Sequence, residues 1–373
     1  MRKLLVIPAI IAGLVAARSE ARPGPDAAVW QQTVDKAVAY LKKSQDPAGS
    51  WSGDRSPGVT GIVLTGLLKT GRVTADDEVA ARALKYIESL VNEKAGHMAG
   101  QEPKPQLLNY VTSVNVMALE AANRADKYKA VIGNAAAYLK KLQFDEEEGK
   151  GPGDPFYGGA GYDSKSRPDL SNTQMFLDAL QAAGVSPGDP AVQRALVFVS
   201  RCQNLKTEHN DQPWAGEFND GSFIYSAAGG GSTKTSDDPK APLTGYGSMT
   251  YAGIKSMIYC GVGKNDPRMQ KALEWARKNY TLESNPGMPP QLAHRGLYYY
   301  YHTFAKCMDA LGQDTFTDAN GVKHDWRADL IAALAKRQRP DGSWLNENDR
   351  WMEGDPNLVT GYALMALSYC KKK

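Results

Sequence analysis

Three stretches of the chain carry residues able to do chemistry. The first is Asp163 followed by Pro168-Asp169-Leu170-Ser171-Asn172-Thr173, a carboxylate set among short hydrogen-bonding side chains. A carboxyl group in such company can cap a helix or, when burial and neighbours tune it, move a proton. The second is the adjacent pair Asp237-Asp238, in a loop of Gly, Ser, Thr and Lys. The third is Tyr298-Tyr299-Tyr300-Tyr301-His302, where phenol and imidazole are the residue types of acid–base work. Helical geometry spreads four successive residues around all faces, so only two or three of these rings can share a cavity. The catalytic candidates are Asp169, Tyr299 and His302. The ligand-binding candidates are Asp163, Asn172, Asp237, Asp238 and Tyr300. No metal or cofactor is expected, because Cys202, Cys260, Cys307 and Cys370 lie tens of residues apart in apolar segments. Neither a zinc knuckle nor a dense disulfide framework has that spacing. His97, His209 and His324 fall in loops or turns and read as surface residues.

The elements that must position these residues are repeats. Six charged, amphipathic helices are expected at 34–45, 78–91, 131–143, 191–203, 268–280 and 327–338. They share a pattern seen in Ala39-Tyr40-Leu41-Lys42-Lys43-Ser44-Gln45 and Ala137-Tyr138-Leu139-Lys140-Lys141-Leu142-Gln143. Each is followed by a helix rich in Gly, Ala, Ser, Thr and Met, at 58–71, 110–122, 169–184, 245–261, 296–311 and 357–370. Between Val59 and Leu68 there is no charge, and a helix apolar all round must be buried all round. Six buried helices ringed by six amphipathic ones form an all-α (α/α)6 toroid. Connections from outer to inner helix are long, and loops beyond about 12–15 residues are uncommon without a purpose. In an alternating ring they all emerge at one end, so a functional mouth is expected at the N-terminal ends of the inner helices.

Two of those loops read Gln45-Asp-Pro-Ala-Gly49-Ser-Trp51 and Gln338-Arg-Pro-Asp-Gly342-Ser-Trp344, with degenerate copies after Gln143 and Gln203. The Gln-x3-Gly-x-Trp pattern resembles the QW repeat of squalene–hopene cyclases and related terpene cyclases, whose toroids are similar to protein prenyltransferase beta subunits. Locally, Gln is expected to cap the end of its outer helix, Gly to allow a tight turn, and the aromatic to pack back. The resemblance covers essentially the whole mature chain. It implies the toroid and a central cavity for an isoprenoid or other apolar ligand. Class II cyclases of that family use the central Asp of an Asp-x-Asp-Asp motif as proton donor. At the matching helix start this chain has only Asp169, with Ser171 and Asn172 after it, which argues against standard squalene cyclisation. The prenyltransferase Asp-x-Cys zinc pair and the complement-type thioester run are both absent.

Composition sets the remaining bounds. Of 373 residues, 44 are Lys or Arg and 41 are Asp or Glu, a balance that excludes nucleic acid as a partner. With 42% apolar and 23% charged residues the chain is an ordinary globular one. Met1-Arg2-Lys3 followed by an apolar run from Leu4 to Ala17 reads as a cleaved export signal over residues 1–21, leaving 22–373 as one toroid domain. Export would place the protein in a periplasmic or extracellular space. The expected partner is a small apolar or amphiphilic ligand, its polar head at the mouth, with peripheral membrane contact. Two other functions fit the same toroid. One is a carbohydrate-active, polysaccharide lyase-like enzyme, supported by Trp214, Trp351 and the Tyr–His run. The other is a non-catalytic binding scaffold.

Overall fold

The computed structural model describes residues 27–101 and 105–371, so the expected export signal lies outside the described residues. The six outer helices are α1 (Ala27–Ser44), α3 (Glu78–Ser89), α5 (Ala125–Lys141), α7 (Pro190–Arg201), α9 (Pro267–Lys278) and α11 (Trp326–Arg337). The six inner helices are α2 (Gly58–Lys69), α4 (Leu108–Ala121), α6 (Leu170–Ala182), α8 (Gly247–Tyr259), α10 (Leu297–Leu311) and α12 (Pro356–Ser368). Each inner helix packs on the next, and α12 packs on α2, which closes the (α/α)6 ring. The longer 312–326 connection holds a two-stranded hairpin, Phe316–Thr317 against Lys323–His324, that the helical periodicity did not announce.

The outer helices form because apolar residues recur along one stripe. In α3, Val79, Ala80, Ala83, Leu84 and Ile87 are buried while the other faces are wet. Asp-Pro pairs start α7, α9 and α12, with Asp189, Asp266 and Asp355 accepting from backbone N–H groups of the first turn. The inner helices are buried along most of their length, and α2, which carries no charge before Lys69, buries every residue from Gly58 to Leu67.

The glutamine loops hold one repeat to the next. The expected role as a cap on their own helix is corrected by the hydrogen bonds. Gln45 Nε2 donates to the Gly49 carbonyl at 2.9 Å and to the Val79 carbonyl of the next outer helix at 2.9 Å. Gln143 does the same to Gly158 and Ala191, Gln203 to Gly221 and Arg268, and Gln338 to Gly342 and Thr33. The Gln338–Thr33 bond joins the last outer helix to the first. Glycine is needed because the loop abuts the neighbouring backbone: a Cβ on Gly342 would sit 2.3 Å from the Lys36 carbonyl oxygen, at a φ of +90°. Trp51 and Trp344 are fully buried and donate from Nε1 to the Leu41 and Leu334 carbonyls of the helices they follow. A threonine one turn into the inner helix completes the unit, accepting the loop N–H of Trp51 (Thr60), Met98 (Thr112), Ala160 (Thr173), Phe223 (Thr250) and Trp344 (Thr360).

Candidate active site

Five of the six long outer-to-inner loops reach over the N-terminal ends of the inner helices and line a cavity of about 230 Å³ there. Its wall is tyrosine-rich: Tyr110, Tyr162, Tyr225, Tyr246, Tyr299 and Tyr362, joined by Trp351 and by Val59, Ile62, Met249 and Leu358. The polar side chains in the wall besides the phenols are Ser56, Ser171, Ser248 and Glu353. Some phenols are already engaged: the hydroxyls of Tyr110 and Tyr362 meet at 2.5 Å, and Gln174 Nε2 donates to the Tyr299 hydroxyl at 2.7 Å.

The rim is strained. Leu107, Trp351 and Met352 all have left-handed backbone, with φ of 46°, 57° and 65°, and all three line the cavity. Non-glycine residues in that region cost on the order of 1 kcal/mol each and collect where function requires a fixed shape. Leu107 and Trp351 are also about 40% exposed, unusual for large apolar side chains. Lys234 lies 4.3 Å over the Tyr225 ring, and Arg350 is 5.9 Å over Trp351, so cations stand at the mouth.

Glu353 is the carboxyl group in the wall. The loop 339–355 carries it over the start of α10, whose N-cap is Gly296 with no side chain to offer. Glu353 supplies the missing acceptors, taking the Tyr299 N–H at 2.8 Å, the Tyr298 N–H at 3.3 Å and the Asn346 side-chain amide at 2.6 Å. The helix terminus and these donors favour the carboxylate. Burial opposes them and wins, raising the group to about 7.

Asp169 sits one layer back. It caps α6, accepting from the Asn172 N–H at 2.9 Å, the Ser171 hydroxyl at 2.6 Å and the Asn172 side-chain amide at 2.8 Å. Burial raises its carboxyl above the usual range. Asp169 is not among the lining residues, whereas its neighbours Tyr162, Ser171 and Tyr225 are. The expectation of Asp169 at the rim is therefore corrected to a buried cap behind the wall, and Asn172 is its partner rather than a ligand contact.

The tyrosine run divides as helical geometry requires. Tyr299 faces the cavity. Tyr300 does not: it is fully buried among Tyr251 and Phe304, donating to the Thr281 carbonyl, and Tyr301 donates to the Leu282 carbonyl. His302 is fully buried, stacked on Tyr362 with 5.8 Å between centroids, and neither ring nitrogen has a partner among the described residues. Burial and the nearby Lys306 and Lys255 lower it to about 3, so it is neutral at ordinary pH. Asp163 is folded onto the N–H groups of Lys165 and Ser166. Asp237 is held by Arg295 at 2.9 and 3.0 Å, and Asp238 turns back to the Lys240 N–H. None of these three reaches the wall.

Beneath the cavity lies a cluster absent from the sequence expectations. Asp178 of α6 pairs with Lys255 of α8 at 2.6 Å and with Lys306 of α10 at 2.9 Å. These residues stand about seven positions beyond Ser171, Met249 and Tyr299, roughly 10 Å deeper along the inner helices. A lone charge in an otherwise apolar inner helix was the available signal, as Glu353 was for the last loop. The four cysteines are free and buried, so no disulfide forms among the described residues. His97 is buried rather than on the surface, and His324 is half-buried between Asp318 and Asp329.

Solved structures similar to this chain share its architecture. A type II terpene cyclase, MstE from Scytonema, aligns with a TM-score of 0.54 at 14% identity, over 92% of this chain and 98% of that one. A D-mannose isomerase aligns with a TM-score of 0.58 at 12% identity, over 92% and 97%. A glycosidase variant aligns with a TM-score of 0.52 at 13% identity, over 93% and 99%. The sequence matches no protein-family model and no curated protein. The chain thus has the α/α toroid fold common to terpene cyclase, isomerase and glycosidase enzymes, and at these identities the likeness is one of fold.

Proposed function

We propose that the tyrosine-lined cavity binds an isoprenoid or other largely apolar ligand and moves a proton on it, as an isomerase related in architecture to terpene cyclases. The observation that carries this reading is a buried carboxyl, Glu353, set in an aromatic wall under a strained apolar rim. A group near pH 7 is poised as a general base and acid at neutrality. It is too weak an acid to protonate an isolated alkene, which agrees with the loss of the Asp-x-Asp-Asp acids. Shuttling a proton between two carbons of an unsaturated ligand asks less. The faces of Tyr246, Tyr362 and Trp351 suit an apolar chain, and the cations near the mouth suit a polar head. Export through residues 1–21, a single domain over 22–373 and peripheral membrane contact belong to the same proposal, since an apolar ligand partitions into membranes.

A carbohydrate is the weaker alternative. A sugar needs several convergent donors and acceptors, whereas this wall offers three serines, one carboxyl and phenols that are partly engaged with one another. A non-catalytic scaffold would leave Glu353 as a helix cap alone. Farnesal, an unsaturated apolar aldehyde, separates these readings when supplied in D2O. Proton shuttling takes up solvent deuterium at the γ-carbon, and Glu353→Gln lowers the rate by at least about 100-fold. Quenching of Trp351 fluorescence by mannose but not by farnesal would overturn the reading in favour of the carbohydrate one. Farnesal binding with no exchange would leave only the scaffold.

A further inference from the structure

The phenol of Tyr299 is the end of a chain of hydrogen bonds that starts in the buried charge cluster. Lys255 Nζ is held by Asp178 and also donates to Gln174 Oε1. An ammonium group has three donors and no acceptor, so the amide of Gln174 must turn its oxygen toward Lys255 whichever way its two ends are assigned. Its nitrogen is then turned the other way, onto the Tyr299 hydroxyl at 2.7 Å. A phenol whose oxygen accepts from an amide N–H keeps its own proton for something else. Among the described residues that proton has no acceptor, and Tyr299 is the member of the tyrosine run that lines the cavity. Asp178 and Lys306 hold the relay in place: Lys306 takes the same carboxylate at 2.9 Å, and all four side chains are buried.

We infer that Lys255 and Gln174 fix Tyr299 as a hydrogen-bond donor into the cavity, and that the natural ligand presents an oxygen acceptor there, a carbonyl or ether rather than a bare hydrocarbon. The inference rests on the reading of the cavity as an apolar-ligand site and narrows it to oxygenated apolar molecules. A conjugated carbonyl held by Tyr299 also makes the C–H bonds at its γ-carbon more acidic, the position from which Glu353, in the same wall, would take a proton. The proton goes to Glu353, the electron pair to the carbonyl oxygen under the Tyr299 hydroxyl, and both return when the proton is put back on another carbon. Lys255, Gln174 and Asp178 are positioning residues: they set which way Tyr299 points and touch no ligand.

The test compares farnesal with the hydrocarbon farnesene, using Trp351 fluorescence for affinity and the infrared carbonyl stretch of bound farnesal for the hydrogen bond. In the wild type farnesal should bind about tenfold more tightly than farnesene, and its carbonyl stretch should move to lower frequency. Tyr299→Phe should abolish both the preference for farnesal over farnesene and the frequency shift. Gln174→Glu keeps the shape and the pairing with Lys255 but turns Tyr299 into a donor to the new carboxylate, so it should lose the shift with the phenol still present. Circular dichroism identifies either variant if it fails to fold, and the remaining one then decides. Equal affinities in the wild type, or a shift that survives Tyr299→Phe, would overturn the relay and leave apolar binding intact. Binding of neither probe would overturn the apolar-ligand reading and the relay with it.

Discussion

The two halves of the ring axis are built on opposite plans. The upper half is open, aromatic and lined by loops, and its one wall carboxyl is raised to about 7 by burial. The lower half is closed and holds Asp178, Lys255, Lys306 and His302, each nearly or wholly shielded from water. Strain marks the upper half, at Leu107, Trp351 and Met352. Uncompensated polarity marks the lower half: two lysines share one carboxylate, burial lowers Lys255 to about 8, and the ring nitrogens of His302 have no hydrogen-bond partner among the described residues. A chain under selection for stability alone would fill both halves with apolar side chains. On the proposed reading the upper half is shaped for a ligand and the lower half orients what touches it.

Breaking the lower half should have the largest effect. Asp178→Leu leaves two buried ammonium groups without a counter-charge and should cost on the order of 3–5 kcal/mol in urea unfolding. Replacing all three charges, as Asp178→Leu with Lys255→Met and Lys306→Met, should restore stability to near that of the wild type or above it. If the single variant loses under about 1 kcal/mol, the cluster is wetter than its burial indicates.

Acid and base should then separate the halves. His302 is lowered from 6.5 to about 3, so the unfolded chain binds its proton first and the contribution, present above about pH 6.5, is lost as pH falls toward 3. Glu353 is raised from 4.5 to about 7, so its contribution is present below about pH 4.5 and is lost as pH rises through 7. Each is worth on the order of 3–5 kcal/mol across its window. The two slopes oppose each other and cancel between about pH 4.5 and 6.5. In stability profiles from pH 4 to 8, His302→Phe should therefore expose a loss of stability as pH rises from about 4.5 to 7, and Glu353→Gln a loss as pH falls below about 6.5. Profiles unchanged by either substitution would count against both burial arguments.

Asp169 sharpens the boundary between wall and support. Asp169→Ala removes a helix cap and should cost about 1–2 kcal/mol, whereas Asp169→Asn, still a capping residue, should stay within about 1 kcal/mol. Because Asp169 does not line the cavity, Asp169→Asn should retain farnesal exchange where Glu353→Gln loses it. Loss of exchange in a stable Asp169→Asn protein would return the acid role to Asp169.

Much of this was legible in the sequence, for physical reasons. Helix type followed from charge, since a segment such as Val59 to Leu68 cannot face water, and the mouth followed from loop lengths. The twelve helices were placed to within a residue or two at most ends; α1 and α5 begin some six or seven residues earlier, α5 because the charges of its first turn, Ala125-Asp126-Lys127-Tyr128, interrupt the apolar stripe. The site was read less well. Asp169 was found by its place at a helix start, but a helix start is where a cap is needed, and capping is what it does. Tyr300 was taken with Tyr299 because adjacency in sequence hides a 100° rotation between neighbours. Glu353 went unseen because it lies in a polar loop, and no periodicity indicates that such a loop folds over another repeat's helix.

The smallest effect is expected at the rim. Trp351→Gly relieves a left-handed backbone and should be neutral or stabilising by about 1 kcal/mol, while weakening farnesal binding through loss of an aromatic face. A destabilised variant would mean that Trp351 is structural.

The central claim is that the upper chamber is made for an apolar molecule, and the contents of the purified protein test it most directly. Solvent extraction followed by mass spectrometry should recover a largely apolar, oxygen-bearing small molecule in near-stoichiometric amount from the wild type. A variant with the chamber filled, Ser248→Trp, should yield far less of it. Recovery of a sugar, or equal amounts of lipid from the wild type and the filled variant, would contradict the account.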